Sequence, residues 1–310
     1  MVFTQEATRN LLRREHPITA PILRLLFFYL SSLLIAAIVT PLIFNLAVHW
    51  NAQFPNALNT YLMRKGFVVF FDRIRLIALL FFFPALWKMY RWEAYRSIPD
   101  RFDCRNFRLF FILGMGLIAG IWGIKMLFLD FTLRAPSFFF LLKTLIRVLL
   151  IALLEEWLFR GLIFNLLLRR MRPAVAFVVS AFIFAHLHFR PTLSVASGLA
   201  TFYDGFYCLY EVIFRSLVGI SWFKFLILFS LGYLLATVYF YTRKLGAAVG
   251  IHAGIIFSLA IFKTCVSFSA VHSFFGSDDL FDSPLALLVI IAATVFSHGI
   301  VKRVGSDRLP

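Results

Sequence analysis

The sequence predicts an all-α fold, a polytopic membrane helical bundle of about eight transmembrane helices. Three observations carry that prediction. Of the 310 residues, 61% are hydrophobic and only 15% charged, whereas a soluble domain carries about 25% charged residues. The apolar residues gather in sustained runs, and the basic residues collect between them. Cys104, Cys208 and Cys265 form no CxxC pair, so neither a disulfide framework nor a thiolate metal site is indicated. The net charge of +16 would suggest nucleic acid in a soluble chain. Here the basic residues follow the positive-inside rule, so the expected partner is an anionic bilayer and not nucleic acid.

Crossing a bilayer takes about 20 apolar residues. On that yardstick helices are expected at 22–47, 67–90, 109–130, 137–171, 174–189, 222–242, 246–266 and 284–302, with seven spans as the alternative count. The polar start, with Arg9, Arg13, Arg14, His16 and Pro17, is too long for a cleavable signal, so the first run is a retained helix. Arg91, Arg96, Arg101, Arg105 and Arg108 follow the second helix; Arg169, Arg170 and Arg172 close the fourth. Arg243 with Lys244 closes the sixth, and Lys302 with Arg303 the last. Eight alternating helices put all of these on one side, which makes the protein multi-pass with both termini cytoplasmic. In a bacterium it would lie in the inner membrane. The fourth run is too long for one straight crossing at about 1.5 Å per residue; it is either strongly tilted or broken near Glu155. Pro173 ends it and starts the short fifth helix. Between 190 and 221, Asp204, Glu211 and Arg215 mix with Phe, Tyr and Leu, the pattern of an amphipathic interfacial element. There both acids are expected to be solvated.

The fourth run holds the anomaly of the chain, adjacent carboxylates at Glu155 and Glu156 followed by Arg160. A charge at mid-bilayer costs at least ~2.5–3.5 kcal/mol, and ionisable groups there usually serve function. Glu156 and Arg160 are four apart and can pair on one helix face, acid before base. Glu155 is turned about 100° away, which leaves it suited to act as a base. The competing structural explanation is a polar clamp between helices. The next helix carries His186 and His188, and a later one carries His252 between Gly250 and Gly254. Imidazole titrates near neutrality, and the small residues around His252 permit close helix approach. His272 and His298 fall outside this constellation, and Asn165 is placed to bond between helices. Lys143 and Arg147 lie on the glutamates' own helix, from which long side chains can snorkel.

Glu155-Glu156-x-x-x-Arg160, then Phe182-x-x-x-His186, then His252 on a later helix, resembles the CPBP intramembrane proteases. These are the type II CAAX prenyl endopeptidases and their bacterial relatives, also called the ABI family. The resemblance covers roughly residues 140–259. It implies an endopeptidase in which Glu155 activates water against a peptide bond of a membrane-embedded or lipidated substrate. Glu156 with Arg160 would hold the site, and His186 and His252 would position the water or the oxyanion. No cofactor is favoured; a metal-dependent version would use a divalent ion such as zinc on Glu155, His186 and His252. Phe184-x-x-x-His188 has the same spacing, so His188 is the alternative to His186, which is preferred because Ala185 precedes it. The family's third motif reads HxxxN, whereas position 256 is Ile. That departure keeps open an inactive membrane-binding or immunity scaffold; a proton-coupled transporter is less favoured because internal repeats are lacking. The implied organisation is N-terminal helices over 1–136, a protease core over 137–266 and a C-terminal helix over 267–310.

Overall fold

The computed structural model describes residues 19–64, 66–82, 84–85, 88, 103–188, 193, 198–215 and 222–306. In chain order the helices are α1 (Thr19–Gln53), α2 (Ala57–Met63), α3 (Gly66–Phe81), α4 (Cys104–Phe128), α5 (Phe138–Glu156), α6 (Asn165–Arg170), α7 (Pro173–Leu187), α8 (Phe202–Tyr210), α9 (Trp222–Thr242), α10 (Leu245–Cys265) and α11 (Pro284–Ser306). The all-α polytopic bundle is therefore present. Leu23–Gln53, Cys104–Phe128, Trp222–Thr242 and Leu245–Cys265 are each long and apolar enough to cross a membrane, and Pro173–Leu187 and Pro284–His298 are shorter apolar helices. Leu127, Phe128, Phe138 and Phe139 are exposed on the protein surface. In water they would form an aggregating patch; in an integral membrane protein they meet lipid. Arg9, Arg13, Arg14, Arg91, Arg96 and Arg101, on which the expected orientation partly rests, lie outside the described residues.

The described residues divide between two compact units, one comprising 92–187 and 221–310, the other 15–91 and 188–220. In the first, α4 and α10 pack most intimately, because small residues let the backbones meet. A Cβ on Gly114 would strike the Ile251 carbonyl, one on Gly250 the Phe107 carbonyl, and one on Gly254 the Phe111 carbonyl. The expected close approach beside His252 is thus made against α4. Gly254→Ala is expected to cost about 1–3 kcal/mol, as overpacking does; a thermal midpoint equal to wild type in detergent would contradict it. Asp103 caps α4 through the Arg105 N–H and bonds Lys244 at 2.5 Å at the start of α10. That ammonium holds the Asp103 carboxyl below the usual carboxylate range. Arg243, in the left-handed region at φ 55°, makes the tight joint between α9 and α10.

At the other ends of α4 and α10, β1 (Phe131–Leu133) pairs antiparallel with β2 (Val266–Phe268), placing Thr132 opposite Ser267. Lys125 is buried there, over the rings of Trp122 and Phe268 at 5.0 and 4.9 Å, and donates to the Ser277 carbonyl. These contacts fix the short chain that leads from α4 into α5. Ser137 caps α5 by accepting from the Phe140 N–H at 3.2 Å. From Phe138 to Arg170 the chain then stays helical. The fourth run is not broken at Glu155; it widens into a π-helix over Trp157–Phe164. Lys143 and Arg147 are exposed on α5.

In the second unit α8 lies against α1. A Cβ on Gly205 would meet the Ala37 carbonyl, and Asn45 exchanges two 2.7 Å bonds with the Ala200 backbone. The amphipathic character expected for this stretch is present, with Tyr203, Phe206 and Tyr210 exposed and Gly205 and Cys208 buried. The expected solvation needs correction for Glu211. Asp204 closes a capping box with Thr201, but Glu211 is only 4% exposed. The same turn that presents aromatic rings outward carries Glu211 and Val212 to the buried edge.

Candidate active site

α5 delivers both glutamates at its last turn, and the two environments differ sharply. The Glu156 and Arg160 side chains are 0% exposed and pair at 2.9 Å, Nη1 donating to Oε1. Glu155 is 32% exposed at its side chain. A single buried carboxylate would be costly in this medium, and the arginine offsets it. Arg160 is held further by donating through Nη2 to the Gly232 carbonyl of α9 at 2.9 Å. Its guanidinium also lies over the Phe184 ring at 4.8 Å. Gly232 permits this because a Cβ there would press on Phe184 and on the Ala181 backbone at 3.0–3.2 Å.

His252 comes from α10 to complete the group. Its Nδ1 is 2.8 Å from Glu156 Oε1, the oxygen that also accepts from Arg160. An ionised carboxylate only accepts, so the imidazole donates through Nδ1, and in a neutral imidazole the lone pair is then on Nε2. Nε2 faces Glu155 Oε2 at 3.8 Å. That separation exceeds a direct hydrogen bond, and one atom about 2.8 Å from each can bond both. A carboxylate that fixes the tautomer of a histidine, whose other nitrogen faces the reacting position, is a recurrent device. Glu156 therefore orients His252 as well as pairing with Arg160.

Helix spacing pairs Glu156 with Arg160, and only analogy adds Glu155 and His252 to them; the structure gathers all four side chains. His186 lies on the last turn of α7, its ring stacked on Phe182 at 6.3 Å. His188 lies in the turn after α7. Phe184 rather than Phe182 borders the cluster, edge-on to Phe159 at 5.1 Å and to His252 at 5.9 Å. Sequence reasoning named Phe184 only within the alternative motif and missed Gly232 and Tyr239; an isolated glycine in an apolar helix was the available signal for Gly232. Asn165 does bond between helices, to the Tyr239 hydroxyl at 2.8 Å. His298 adjoins the Tyr241 hydroxyl at 3.2 Å, and His272 accepts from the Phe274 N–H at 3.1 Å, both outside the cluster.

Ile256, one turn beyond His252, packs with Ala152, Val249 and Ala253. The wall below the histidine is apolar at that point. A catalytic zinc takes three protein ligands. Among the described residues no three His, Cys, Asp or Glu side chains lie together in a way that holds a metal. Glu155 and His252 supply two facing groups, so no step below is routed through a metal.

The family model for type II CAAX prenyl endopeptidases, Rce1-like, matches residues 137–258. Those residues form a domain of the CPBP family. The Rce1-like domain opens at the Ser137 cap of α5 and closes within α10, so it encloses both glutamates, Arg160 and all three candidate histidines. Searches of curated proteins and of solved structures find no match.

Proposed function

We propose that the protein is an intramembrane endopeptidase in which Glu155 is the general base. The observation that carries this reading is the position of His252, bonded to Glu156 on one side and facing the more exposed Glu155 on the other. The Glu155 carboxylate takes a proton from water as the water oxygen bonds to the peptide carbonyl carbon. The His252 Nε2 lone pair accepts the second hydrogen of that water and sets its direction. The tetrahedral oxyanion then collapses, the C–N bond breaks, and the proton held by Glu155 passes to the departing amine. The products are a carboxylic acid and an amine, with no oxidant or co-reactant. Arg160 stays paired with Glu156 throughout and keeps the buried charges balanced. His186, or His188 in its place, is assigned to the oxyanion side.

The substrate class is a membrane-embedded or lipidated peptide, met by a multi-pass protein whose termini are cytoplasmic. The test is cleavage of membrane-anchored peptides, with and without a C-terminal prenyl group, by purified protein in liposomes made with heavy-oxygen water. Mass spectrometry should find heavy oxygen in the new carboxyl terminus, at a rate unaffected by chelator. Failure to cut any peptide contradicts the proposal, and loss of cutting with chelator contradicts the metal-free form. Ile256 favours a second reading, a non-catalytic binding scaffold, because an amide donor at an oxyanion site is worth ~10²–10³ in rate. Retained peptide binding without cleavage is the outcome that selects it.

A further inference from the structure

The π segment Trp157–Phe164 is fastened to α9 at two points. One is the Arg160 bond to the Gly232 carbonyl at 2.9 Å. The other is two turns along α9, where Asn165 Nδ2 donates to the Tyr239 hydroxyl at 2.8 Å. Asn165 Nδ2 also donates to the Gly161 carbonyl at 3.0 Å, while the Asn165 backbone N–H goes to Leu162. In a regular α-helix the residue-161 carbonyl would be the acceptor for the residue-165 N–H. The asparagine side chain takes that acceptor instead, while its own N–H closes a tighter i→i−3 turn, so Asn165 marks the point where the widened segment ends. Gly161 directly follows Arg160, and Gly161, Asn165 and Tyr239 are all buried. Unpartnered polar groups are expensive in such surroundings, so each member of this bridge depends on the others. π-bulges often mark functional sites, and this one begins one residue after Glu156.

We infer that the Asn165–Tyr239 bridge is a latch that sets the π segment so that Arg160 spans Glu156 and Gly232, and thereby holds His252 through Glu156. Asn165 and Tyr239 are positioning residues. Their importance to rate rests on the reading of Glu155 and His252 given above, but the latch has a readout that needs no activity. Tyr239→Phe removes one oxygen and keeps the ring beside Phe164; Asn165→Leu removes both donors at similar volume.

The experiment uses full-length protein with labelled histidine in lipid nanodiscs. The low-field proton of a carboxylate-bonded imidazole N–H is followed by NMR and assigned to His252 by its loss in His252→Gln. In Tyr239→Phe and Asn165→Leu the resonance should vanish or shift, with circular dichroism unchanged. Peptide cleavage should fall ~10–100-fold, the effect of losing an outer-shell hydrogen bond, and the loss should appear in kcat with KM unchanged. A wild-type resonance in both variants overturns the latch, whatever the rate does. A lost resonance in a protein whose wild type cleaves no peptide leaves the latch standing and sinks the protease reading.

Discussion

Replacing Arg160 with alanine is expected to destabilise the folded bundle by about 3–5 kcal/mol, the cost of leaving one member of a buried ion pair without its partner. Both side chains are completely inaccessible, so water cannot replace the guanidinium. The same change frees the Gly232 carbonyl and removes the cation from the Phe184 ring. Arg160→Lys should recover only part of the loss, because one ammonium cannot supply the fork that reaches Glu156 and Gly232 together. Adding Glu156→Gln to Arg160→Ala should restore stability relative to Arg160→Ala alone, since the uncompensated carboxylate is then gone. Unfolding free energies of the three variants in mixed micelles measure this. A double variant no more stable than Arg160→Ala would show that the buried charge is not what the arginine offsets.

Glu155→Gln is expected to have the opposite profile, with a loss of at least ~10²–10⁴ in cleavage rate, the range for a general base, and little change in stability. The amide preserves the shape of the side chain and removes its capacity to take a proton. Glu155 is partly accessible, and the bond from Arg160 goes to Glu156. Substrate binding should persist, because the proton is needed only in the transition state. Photocrosslinking of an anchored peptide to Glu155→Gln at wild-type yield is the expected companion result; lost crosslinking would point to a binding role instead.

Much of the bundle was legible in sequence because hydropathy dictates where a helix must cross lipid. Each of the eight apolar runs contains a helix of the structure. The Glu156–Arg160 pair was legible too, since a four-residue spacing fixes neighbours on one helix face. The bond from His252 to Glu156 was not, for it joins residues 96 positions apart and depends on how α10 packs. The π segment was equally hidden: Trp157–Phe164 has no proline, and the Asn165–Tyr239 bond at its end lies outside it. The choice between Phe182 and Phe184 turns on helix rotation, which a nearly uniform apolar helix does not encode. Glu211 was misjudged for a related reason, because a charge in a mixed stretch suggests water until the packing against α1 is known. The β1–β2 pair depends on α4 and α10 ending side by side, and three-residue strands leave no pattern of their own.

The most direct measurement is the initial rate of peptide-bond hydrolysis by wild type and by Glu155→Gln, side by side in the same liposomes at equal folded protein. Wild type is expected to release product with heavy oxygen from water in its new carboxylate, and Glu155→Gln to retain no more than about a hundredth of that rate. Equal rates from the two proteins would contradict the assignment of Glu155 as the base.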